Sequence, residues 1–336
     1  MKPKVSVLTP VYNQRQFLGK CLQSVINQTF KNWEMIIIDD ASSDGSWDII
    51  ETFHDERIKA LRHEKNYGKS KLAETHNEAL SMASGELVAI LEGDDYWPDY
   101  RLMVQIKSFE DADIVLSHGL IAMVKDGVFS PCSFPLKFSA SILKNEPVGS
   151  ALKAFILGEN FLLSQSVMIR KKALVKIGGF KQPPSLYLMD YPTWLELALV
   201  GKFAFLPKVL GFWRRHPGSI TSMHNEDLWL GMTNYVKNFV DSNKERLKLS
   251  QVNLDRYIRN AGVYGYINLF KCAIVKDKKE AKILFKKLRE RRRGISPVEI
   301  IKIIILRVAL NFQIFKKFYK CYLKKRTSKY APFFNL

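Results

Sequence analysis

The sequence predicts an α/β fold: a mostly parallel sheet flanked by helices, followed by a helical C-terminal extension. Two observations lead to this prediction. Short apolar runs alternate with helical patterns in the first half of the 336 residues, and the pattern turns helical beyond Asn225. Alternation of this kind is typical of βαβ units and a parallel sheet. We therefore expect a catalytic α/β domain over residues 1–225 and a basic, mainly helical region over 226–336.

The elements of the first half follow from the period of the apolar residues. The run VSVLTPV, rich in β-branched residues, predicts a first strand. The run WEMIIIDD is apolar on both faces, as a parallel strand covered by helices is. We predict strands over 5–11, 33–40, 58–62 and 86–91, a strand beginning at 114–116, and helices over 18–29, 46–53, 71–83 and 98–110.

The second half is less regular. Residues 125–160 have no clear period and contain three prolines, so we predict a long connection. Such loops are often lids or substrate walls, and disorder is the alternative. A strand over 161–169, a helix over 190–200 and an extended segment over 203–213 should follow.

Composition excludes several classes of protein. Hydrophobic residues make up 47% and charged residues 25% of the chain, which excludes a wholly disordered or collagen-like protein. The four cysteines are far apart, so neither a zinc site nor a disulfide framework is predicted, and a reducing compartment is expected. The N-terminus lacks the apolar stretch of a secretory signal. We therefore expect a cytoplasmic location.

Positive charge is concentrated in the C-terminal third. The net charge is +19, and residues 227–336 hold 26 Lys and Arg against eight Asp and Glu. This asymmetry indicates an anionic partner, either a membrane surface or nucleic acid. No nucleic-acid-binding motif is visible, so we do not expect a nucleic-acid partner.

The basic region over 278–326 is amphipathic rather than uniformly apolar. It begins as KKEAKILFKKLRERRR and continues into an apolar stretch interrupted by Glu299, Lys302 and Arg307. These charges argue against a spanning helix. A Lys-rich, aromatic, amphipathic segment suits the surface of an anionic leaflet. The alternative is a helical subdomain packed on the catalytic domain, with its lysines facing water.

Polar side chains follow three of the predicted strands, where ligands bind in open α/β sheets. Grouped carboxylates are costly to hold together without a cation, and oxygen ligands suit Mg²⁺ or Mn²⁺ with phosphate. Singly, an Asp after a strand is more often a turn residue or a helix N-cap. The clusters are Pro10, Tyr12 and Asn13; Asp39, Asp40, Ser42, Asp44 and Gly45; and Glu92, Asp94 and Asp95.

Together these segments resemble the family 2 glycosyltransferases of GT-A fold. The resemblance rests on VSVLTPVYN, QTFKNWEMIIIDDASSDGS and SGELVAILEGDDYWPDYRL, and then on FLLSQSVMIRKKALVKIGGF, MDYPTWLELALVGKFAFLP and FWRRHPGSIT. It covers about residues 3–222. It implies an inverting transferase that uses a nucleoside-diphosphate sugar and a divalent metal.

The resemblance also implies how the base of the donor is bound. Tyr12 matches the position whose ring packs near the base, and Pro10 lies beside it in the same donor-binding segment. Asp40 matches the carboxylate that accepts from a base N–H, typically N3–H of uracil. Asp39 is expected to support the loop. The alternative for Tyr12 is a buried aromatic at a strand end.

The remaining implied contacts concern the metal, the sugar and the diphosphate. Asp95 should ligate the metal and Asp94 should contact the sugar or ribose, whereas Glu92 stands where the family has Asp. Arg215 and His216 resemble the late basic motif beside the diphosphate, with His216 as a metal ligand or a donor to phosphate.

Asp190 in MDYPTW matches the catalytic base of the family, which takes the proton of an acceptor hydroxyl as that oxygen attacks the anomeric carbon. The alternative is a helix N-cap, because a helical pattern follows it.

One segment departs from the family. Asn66, Tyr67 and Gly68 fit the short Asn-x-Gly, but THN over 75–77 replaces the Ala-Arg-Asn triplet at a longer spacing. Which side chain meets the donor there is open. The candidates are Lys69, Lys71 and His76, and a solvated surface is an equal alternative for each.

The resulting hypothesis is an inverting, Mn²⁺- or Mg²⁺-dependent hexosyl- or N-acetylhexosaminyl-transferase. It would move a sugar from a nucleoside-diphosphate sugar, with UDP favoured, to a glycan or lipid-linked acceptor in bacterial cell-surface polysaccharide synthesis. It would be peripheral on the inner face of the cytoplasmic membrane through residues 278–326. A nucleotidyltransferase and a non-catalytic anionic-surface binding protein are the alternatives.

Overall fold

The computed structural model describes residues 2–132, 134–156, 159–184, 186–219, 226–247 and 286. These residues form two compact units. The larger comprises the described residues up to Leu152 together with Asn160–Pro217, and the smaller comprises Lys153–Glu159 with those from Gly218 onward. Apart from Lys286, the predicted membrane-binding segment over 278–326 lies outside the described residues. The predicted domain boundary at 225 stays a prediction.

A mixed sheet is the centre of the larger unit. Its strands are β1 (Val5–Val11), β2 (Trp33–Asp39), β3 (Ile58–Arg62), β4 (Leu87–Ile90), β5 (Ile114–Lys125), β6 (Val128–Cys132), β7 (Met168–Arg170) and β8 (Lys202–Arg214). The order is β3-β2-β1-β4-β7-β5-β6, with β8 paired to β5. The first four strands in this order are parallel, as are β5 and β8, whereas β7 and β6 pair antiparallel with their neighbours.

Helices cover the sheet and continue into the smaller unit. They are α1 (Arg15–Ile26), α2 (Ser46–Glu51), α3 (Leu72–Met82), α4 (Arg101–Ile106), α5 (Ala140–Leu143), α6 (Leu152–Ile156), α7 (Lys171–Lys176), α8 (Asp190–Leu197), α9 (Glu226–Ser242) and α10 (Lys244–Leu247). Short 3₁₀ turns cover Lys69–Lys71, Lys107–Glu110, Phe134–Lys137 and Ser164–Ser166. None of the helices in these described ranges has the length and apolarity that spanning a bilayer requires.

The core explains why the first strands are predictable. All seven residues of β2 are buried, and the apolar face of α1, with Leu18 and Leu22, packs in one cluster with Val7 and Met35. Burial on both faces selects the continuous apolar runs seen in the sequence. The predicted strand 58–62 matches the observed bounds, and the strand predicted over 86–91 is observed as β4, one residue shorter at each end.

The prediction of a long connection over 125–160 is wrong in part. Residues Asp126 and Gly127 both have positive φ and form the tight turn between β5 and β6, which pair antiparallel. Asp-Gly is the dipeptide that such a hairpin turn favours, because both positions tolerate positive φ. Helices α5 and α6 also fall within this stretch.

The strand predicted over 161–169 is also mostly absent. Only Met168–Arg170 is a strand, and a 3₁₀ turn at Ser164–Ser166 interrupts the apolar run before it. Phe161 and Leu162 are fully buried without belonging to a strand. The apolar run that begins at Phe161 therefore indicates that these residues are buried, but it does not indicate that they form a strand.

The smaller unit is described mainly through α9. Its buried residues Met232, Val236, Phe239 and Val240 recur at helical spacing. This confirms the prediction of helix beyond Asn225 as far as the described residues extend.

Candidate active site

The register of the sheet brings the ends of three strands together. Val11 at the end of β1 is paired with Asp39 at the end of β2, and the Asp40 amide donates to the Val11 carbonyl at 2.8 Å. The Gly93 amide, just beyond β4, donates to the carbonyl of Pro10 at 3.3 Å. The three polar clusters predicted from the sequence therefore lie at one edge of the sheet.

Tyr12 lies on the surface of this edge. It is 49% exposed, so the alternative of a buried aromatic is wrong. The next residue, Asn13, has a φ of +50° and its amide donates to the Ser42 hydroxyl at 2.9 Å. The Asn13 side chain in turn accepts from the Ser43 amide. This exchange fixes the loop after β1 against the loop after β2 and leaves the ring of Tyr12 accessible.

The carboxylate of Asp40 is nearly buried and accepts hydrogen bonds from four groups. Its Oδ1 lies 2.8 Å from His63 Nδ1 and accepts from the Tyr67 amide at 2.8 Å. Its Oδ2 accepts from the Asn66 side chain at 3.0 Å and from the Gly68 amide at 3.2 Å. A carboxylate offers about four lone-pair positions, so Asp40 uses its full capacity, with three of its four bonds holding the turn at 66–68.

His63 was missed by the sequence reasoning. It is buried, its Nε2 lies 2.8 Å from Glu78 Oε2, and its ring stacks on that of Tyr67 at 4.1 Å. Burial lowers the pKa of His63, but its hydrogen bonds to Asp40 and Glu78 leave that pKa above the usual value. His63 directly follows β3, so the rule that selected the other strand ends applies to it too.

The other carboxylates of the second cluster support the loop. Asp39 accepts from the Ser42 amide at 3.3 Å and from the Arg62 guanidinium at 3.2 Å. Asp44 accepts from the amides of Arg15 and Ser46, both at 2.9 Å. These are the turn and capping contacts that Asp makes after a strand.

In the third cluster, the neighbouring carboxylates of Asp94 and Asp95 have different partners. The Asp94 carboxylate lies 3.0 Å from His216 Nε2. The Asp95 carboxylate is buried and accepts from the Arg214 amide at 2.8 Å. Burial and the charge of Asp94 raise the pKa of Asp95 well above its usual range. The geometry therefore favours Asp94 over Asp95 as the partner of His216, whereas the sequence reasoning had assigned the metal to Asp95.

Arg214, also missed, joins the ends of three elements. Its guanidinium donates to the carbonyls of Phe17 at 2.8 Å and Asp95 at 3.1 Å, and also to the carbonyl of Asp94. The sequence signal was present in the RRH string, but the prediction chose the second arginine. Arg215 packs its guanidinium 4.4 Å from the Trp213 ring centre. Its contact with a diphosphate stays a prediction.

Asp190 is the first residue of α8 and is not its N-cap, which is Met189. The carboxylate accepts from the Tyr191 amide at 2.7 Å and from the Asn160 side chain at 3.5 Å. Burial raises the pKa of Asp190 to about 6, and the nearby charge of Glu92 adds to the rise. A partly buried carboxylate with a pKa close to neutrality is suited to accepting a proton.

The segment that departs from the family has one buried candidate. His76 is buried, with Nε2 at 3.3 Å from Glu92 and Nδ1 at 2.8 Å from the Leu72 carbonyl. Burial lowers the pKa of His76, but the bond to Glu92 leaves it raised. Lys71 is exposed and pairs with Glu74 at 2.8 Å, which matches the solvated-surface alternative.

Metal ligands are not clustered in advance in the described part of the chain, where no three His, Cys, Asp or Glu side chains converge on one point. The pair of Asp94 and His216 nevertheless offers an oxygen and a nitrogen donor on the same edge of the sheet. Mg²⁺ is commonly held by one or two protein ligands, with phosphate oxygens and water completing the shell. The residues present therefore fit a metal that arrives with a nucleotide.

Comparison with known proteins places the sequence in one family. The family described as Glycosyl transferase family 2 matches residues 6–173. The chain is 33% identical over 225 residues to the putative teichuronic acid biosynthesis glycosyltransferase TuaG of Bacillus subtilis, covering 66% of this chain and 82% of that protein. It is 37% identical over 229 residues to the UDP-Glc:alpha-D-GlcNAc-diphosphoundecaprenol beta-1,3-glucosyltransferase WfaP of Escherichia coli, covering 67% and 82%.

Solved structures show the same fold. The structure of S. aureus TarS residues 1–349 in complex with UDP-GlcNAc is similar with a TM-score of 0.63 at 18% identity, over 91% of this chain and 88% of that one. The mannosyltransferase PcManGT from Pyrobaculum calidifontis, in complex with GDP-Man and Mn²⁺, gives 0.53 at 17% identity, over 98% and 88%. These likenesses confirm the predicted GT-A fold. From the sequence match and the fold together, the chain belongs to glycosyl transferase family 2 and is a glycosyltransferase.

Proposed function

We propose that this glycosyltransferase inverts the configuration of a sugar that it transfers from a UDP-sugar to a glycan or lipid-linked acceptor. The observation that carries this proposal is the carboxylate of Asp190 at the start of α8. Burial and the nearby charge of Glu92, in the third cluster, raise the pKa of Asp190 to about 6. The edge of the sheet where the three polar clusters lie would bind the donor, and Asp190 would act on the acceptor.

The base of the donor would bind beside Tyr12. The exposed ring offers a surface for a base, and Pro10 lies two residues before it at the same strand end. Asp40 would accept the base N–H through Oδ2, whose present bonds to Asn66 and Gly68 are longer than those of Oδ1. A uracil N3–H would displace only the longest of these bonds, that from the Gly68 amide, and the bonds from Asn66 and Tyr67 would continue to hold the turn.

The diphosphate and its Mn²⁺ or Mg²⁺ would lie along the third cluster. Asp94 and His216 are the residues that would hold the ion, with Arg215 near the diphosphate and Asp95 as a buried support beneath Asp94. We prefer this arrangement to Asp95 as a direct ligand because the Asp95 carboxylate is buried and accepts from the Arg214 amide. A divalent ion in this position would neutralise charge on the departing nucleoside diphosphate.

The chemical step follows from the position of one base. Asp190 would remove the proton from an acceptor hydroxyl while that oxygen attacks the anomeric carbon of the donor sugar. The bond between that carbon and the diphosphate oxygen would break, and its electron pair would leave with UDP. One attack from the side opposite the leaving group inverts the anomeric configuration. A hexosyl or N-acetylhexosaminyl group would be transferred.

The named relatives support this choice of donor and acceptor. The name of WfaP specifies a UDP-glucose donor and a diphosphoundecaprenol acceptor, and TarS is described in complex with UDP-GlcNAc. We extend these classes to this chain and place it in bacterial cell-surface polysaccharide synthesis. An acceptor of this kind would lie at the inner face of the cytoplasmic membrane, where the positive charge of residues 278–326 would favour peripheral attachment.

Calorimetric titration with UDP, GDP and dTDP, each with and without Mn²⁺, tests the donor assignment. We expect UDP to bind most tightly and only with the metal. Equal binding of all three nucleotides would contradict the uridine assignment. Analysis of the leaving group then separates two chemistries: glycosyl transfer releases a nucleoside diphosphate, whereas the nucleotidyltransferase alternative would release pyrophosphate.

A further inference from the structure

The buried imidazole of His63 links α3 to the edge of the sheet where the polar clusters lie. His63 lies 2.8 Å from Asp40, which follows β2, and 2.8 Å from Glu78 of α3. Its ring stacks on Tyr67. Within the described residues, the titratable groups that face the ring are Asp40, Glu78 and the phenol of Tyr67. The ammonium of Lys71 lies 5.4 Å from the Tyr67 ring centre.

The two contacts of His63 require a proton on each ring nitrogen. A neutral imidazole donates from one nitrogen and accepts at the other, so it can donate to only one of two carboxylates. The second carboxylate would then face a lone pair at 2.8 Å, which is repulsive. With both carboxylates ionised, the two short contacts are therefore compatible only with the imidazolium.

The same carboxylate that meets His63 also holds the turn at 66–68, and the backbone of Asp40 is joined to the strand end that carries Tyr12. Asp40 accepts from the amides of Tyr67 and Gly68, and its own amide is bound to the residue that precedes Tyr12. Gly68 has a φ of +73°, a conformation that Gly adopts without steric cost. The position of this turn therefore depends on the charge and orientation of Asp40.

We propose that His63 is a positioning residue for the base of the donor. As an imidazolium bridging Asp40 and Glu78, it fixes the Asp40 carboxylate and the turn at 66–68 that this carboxylate holds, and so sets the affinity for UDP-sugars. The inference rests on the proposed function for the location of the base, and it adds a residue and a charge state on which that binding depends.

The proposal makes the sign of the pH dependence explicit. Partners that stabilise the charged form raise the pKa of a histidine, so the bridge is complete below the usual value of about 6.5. It is lost as the pH rises through the raised value. Affinity for a UDP-sugar should therefore fall on the alkaline side, and removal of one carboxylate should move the midpoint of that fall to lower pH.

A ring NMR titration tests the bridge without any donor. In the full chain, the His63 resonance is identified by its absence from His63→Gln and followed from pH 5 to 9. We expect Glu78→Gln, which keeps the volume of the side chain and removes its charge, to lower the His63 midpoint. The exposed His54 provides the matched control, because His54→Gln should leave the His63 midpoint unchanged. An unchanged midpoint in Glu78→Gln overturns the proposal.

Calorimetry with UDP-GlcNAc and UDP-glucose in Mg²⁺ tests the effect on binding, since the diphosphate of a UDP-sugar does not titrate in this pH range. We expect affinity about tenfold weaker in His63→Gln at pH 6.5, and wild-type affinity in His54→Gln. Unchanged affinity in His63→Gln, with binding by the wild type intact, overturns this inference alone. Failure of the folded wild type to bind either UDP-sugar overturns the donor assignment and the inference with it.

Discussion

Two parts of the sheet edge where the polar clusters lie differ in how many hydrogen bonds their carboxylates accept. On the base side, defined as Asp40, His63 and the turn at 66–68, the carboxylate is matched by four donors. On the reaction side, defined as Glu92, Asp94 and Asp190, the contacts are sparser. Asp190 accepts from one adjacent amide and one side chain at 3.5 Å.

This difference indicates that the two parts have different roles in the proposed reaction. The four donors around Asp40 hold its carboxylate and the turn at 66–68 in place, which would suit a site that binds the same group in every cycle. On the reaction side, burial and the nearby charge of Glu92 raise the pKa of Asp190, which would suit proton transfer. The pair of Asp94 and His216 would suit the binding of a cation. Under the proposed function, the base side would already be formed when the donor arrives, whereas the reaction side would depend on ligands to balance its charge.

The strongest way to break the comparison is to alter the reaction side alone. Asp190→Asn removes the proton acceptor while keeping the volume of the side chain, so we expect kcat to fall by about 10²–10⁴-fold. The affinity for UDP, measured by calorimetry, should not change, because the base side is intact. Transfer at close to the wild-type rate would contradict the assignment of the base.

Neighbouring substitutions can sharpen the comparison at the third cluster. We expect Asp94→Asn to weaken Mn²⁺-dependent UDP binding at least about tenfold, because it removes the charged partner of His216. Asp95→Asn keeps an oxygen for the Arg214 amide and should weaken binding much less. Titration of both variants with UDP, with and without Mn²⁺, measures the effects. The reverse order would restore Asp95 as the ligand.

The pH profile separates the two sides by the sign of their response. With the pKa of Asp190 at about 6, the carboxylate that accepts the proton is lost as the pH falls. We therefore expect kcat to decline about tenfold by pH 5, because a base with this pKa is then mostly protonated. Stopped assays of UDP release from pH 5 to 8 measure the decline. A profile flat down to pH 5 would show that Asp190 is not the titrating base.

The smallest effect is expected at the edge of the base side. Lys71 is exposed and pairs with Glu74 three residues along the chain. Exposed pairs contribute little, so Lys71→Ala should change UDP affinity by less than about twofold. Calorimetry under the same conditions as for the wild type provides the measurement. A large loss would return Lys71 to the set of residues that contact the donor phosphates.

The first half of the fold was predictable because burial there leaves a direct signature. Strands β1 and β2 are buried along nearly their whole length, and only apolar runs satisfy that requirement. The prediction of the second half failed where packing outweighed the local sequence rules or where a local signal was overlooked. The turn at Asp126 and Gly127 was a readable signal, whereas the 3₁₀ turn at Ser164–Ser166 depends on packing that the sequence pattern does not reveal.

The site was predictable in location but not in detail. Residues after parallel strands must meet at one edge, and Asp40, Asp94 and Asp95 do so. Their roles, and that of Asp190, stay predictions. The roles of adjacent residues depend on distant partners. Asp95 is distinguished from Asp94 by a bond to Arg214, which is 119 residues away. No local pattern records such a partner.

Arg214 also has a consequence for the order in which the protein is made. It donates to the carbonyls of Asp94 and Phe17, the latter 197 residues earlier in the chain. The base side needs no residue beyond Glu78, so its contacts become available early in synthesis. The reaction side cannot be completed until the end of β8 has left the ribosome. A nascent chain would therefore acquire the means to hold a nucleotide base well before it could process a sugar, and contacts this far apart in sequence are slow to form.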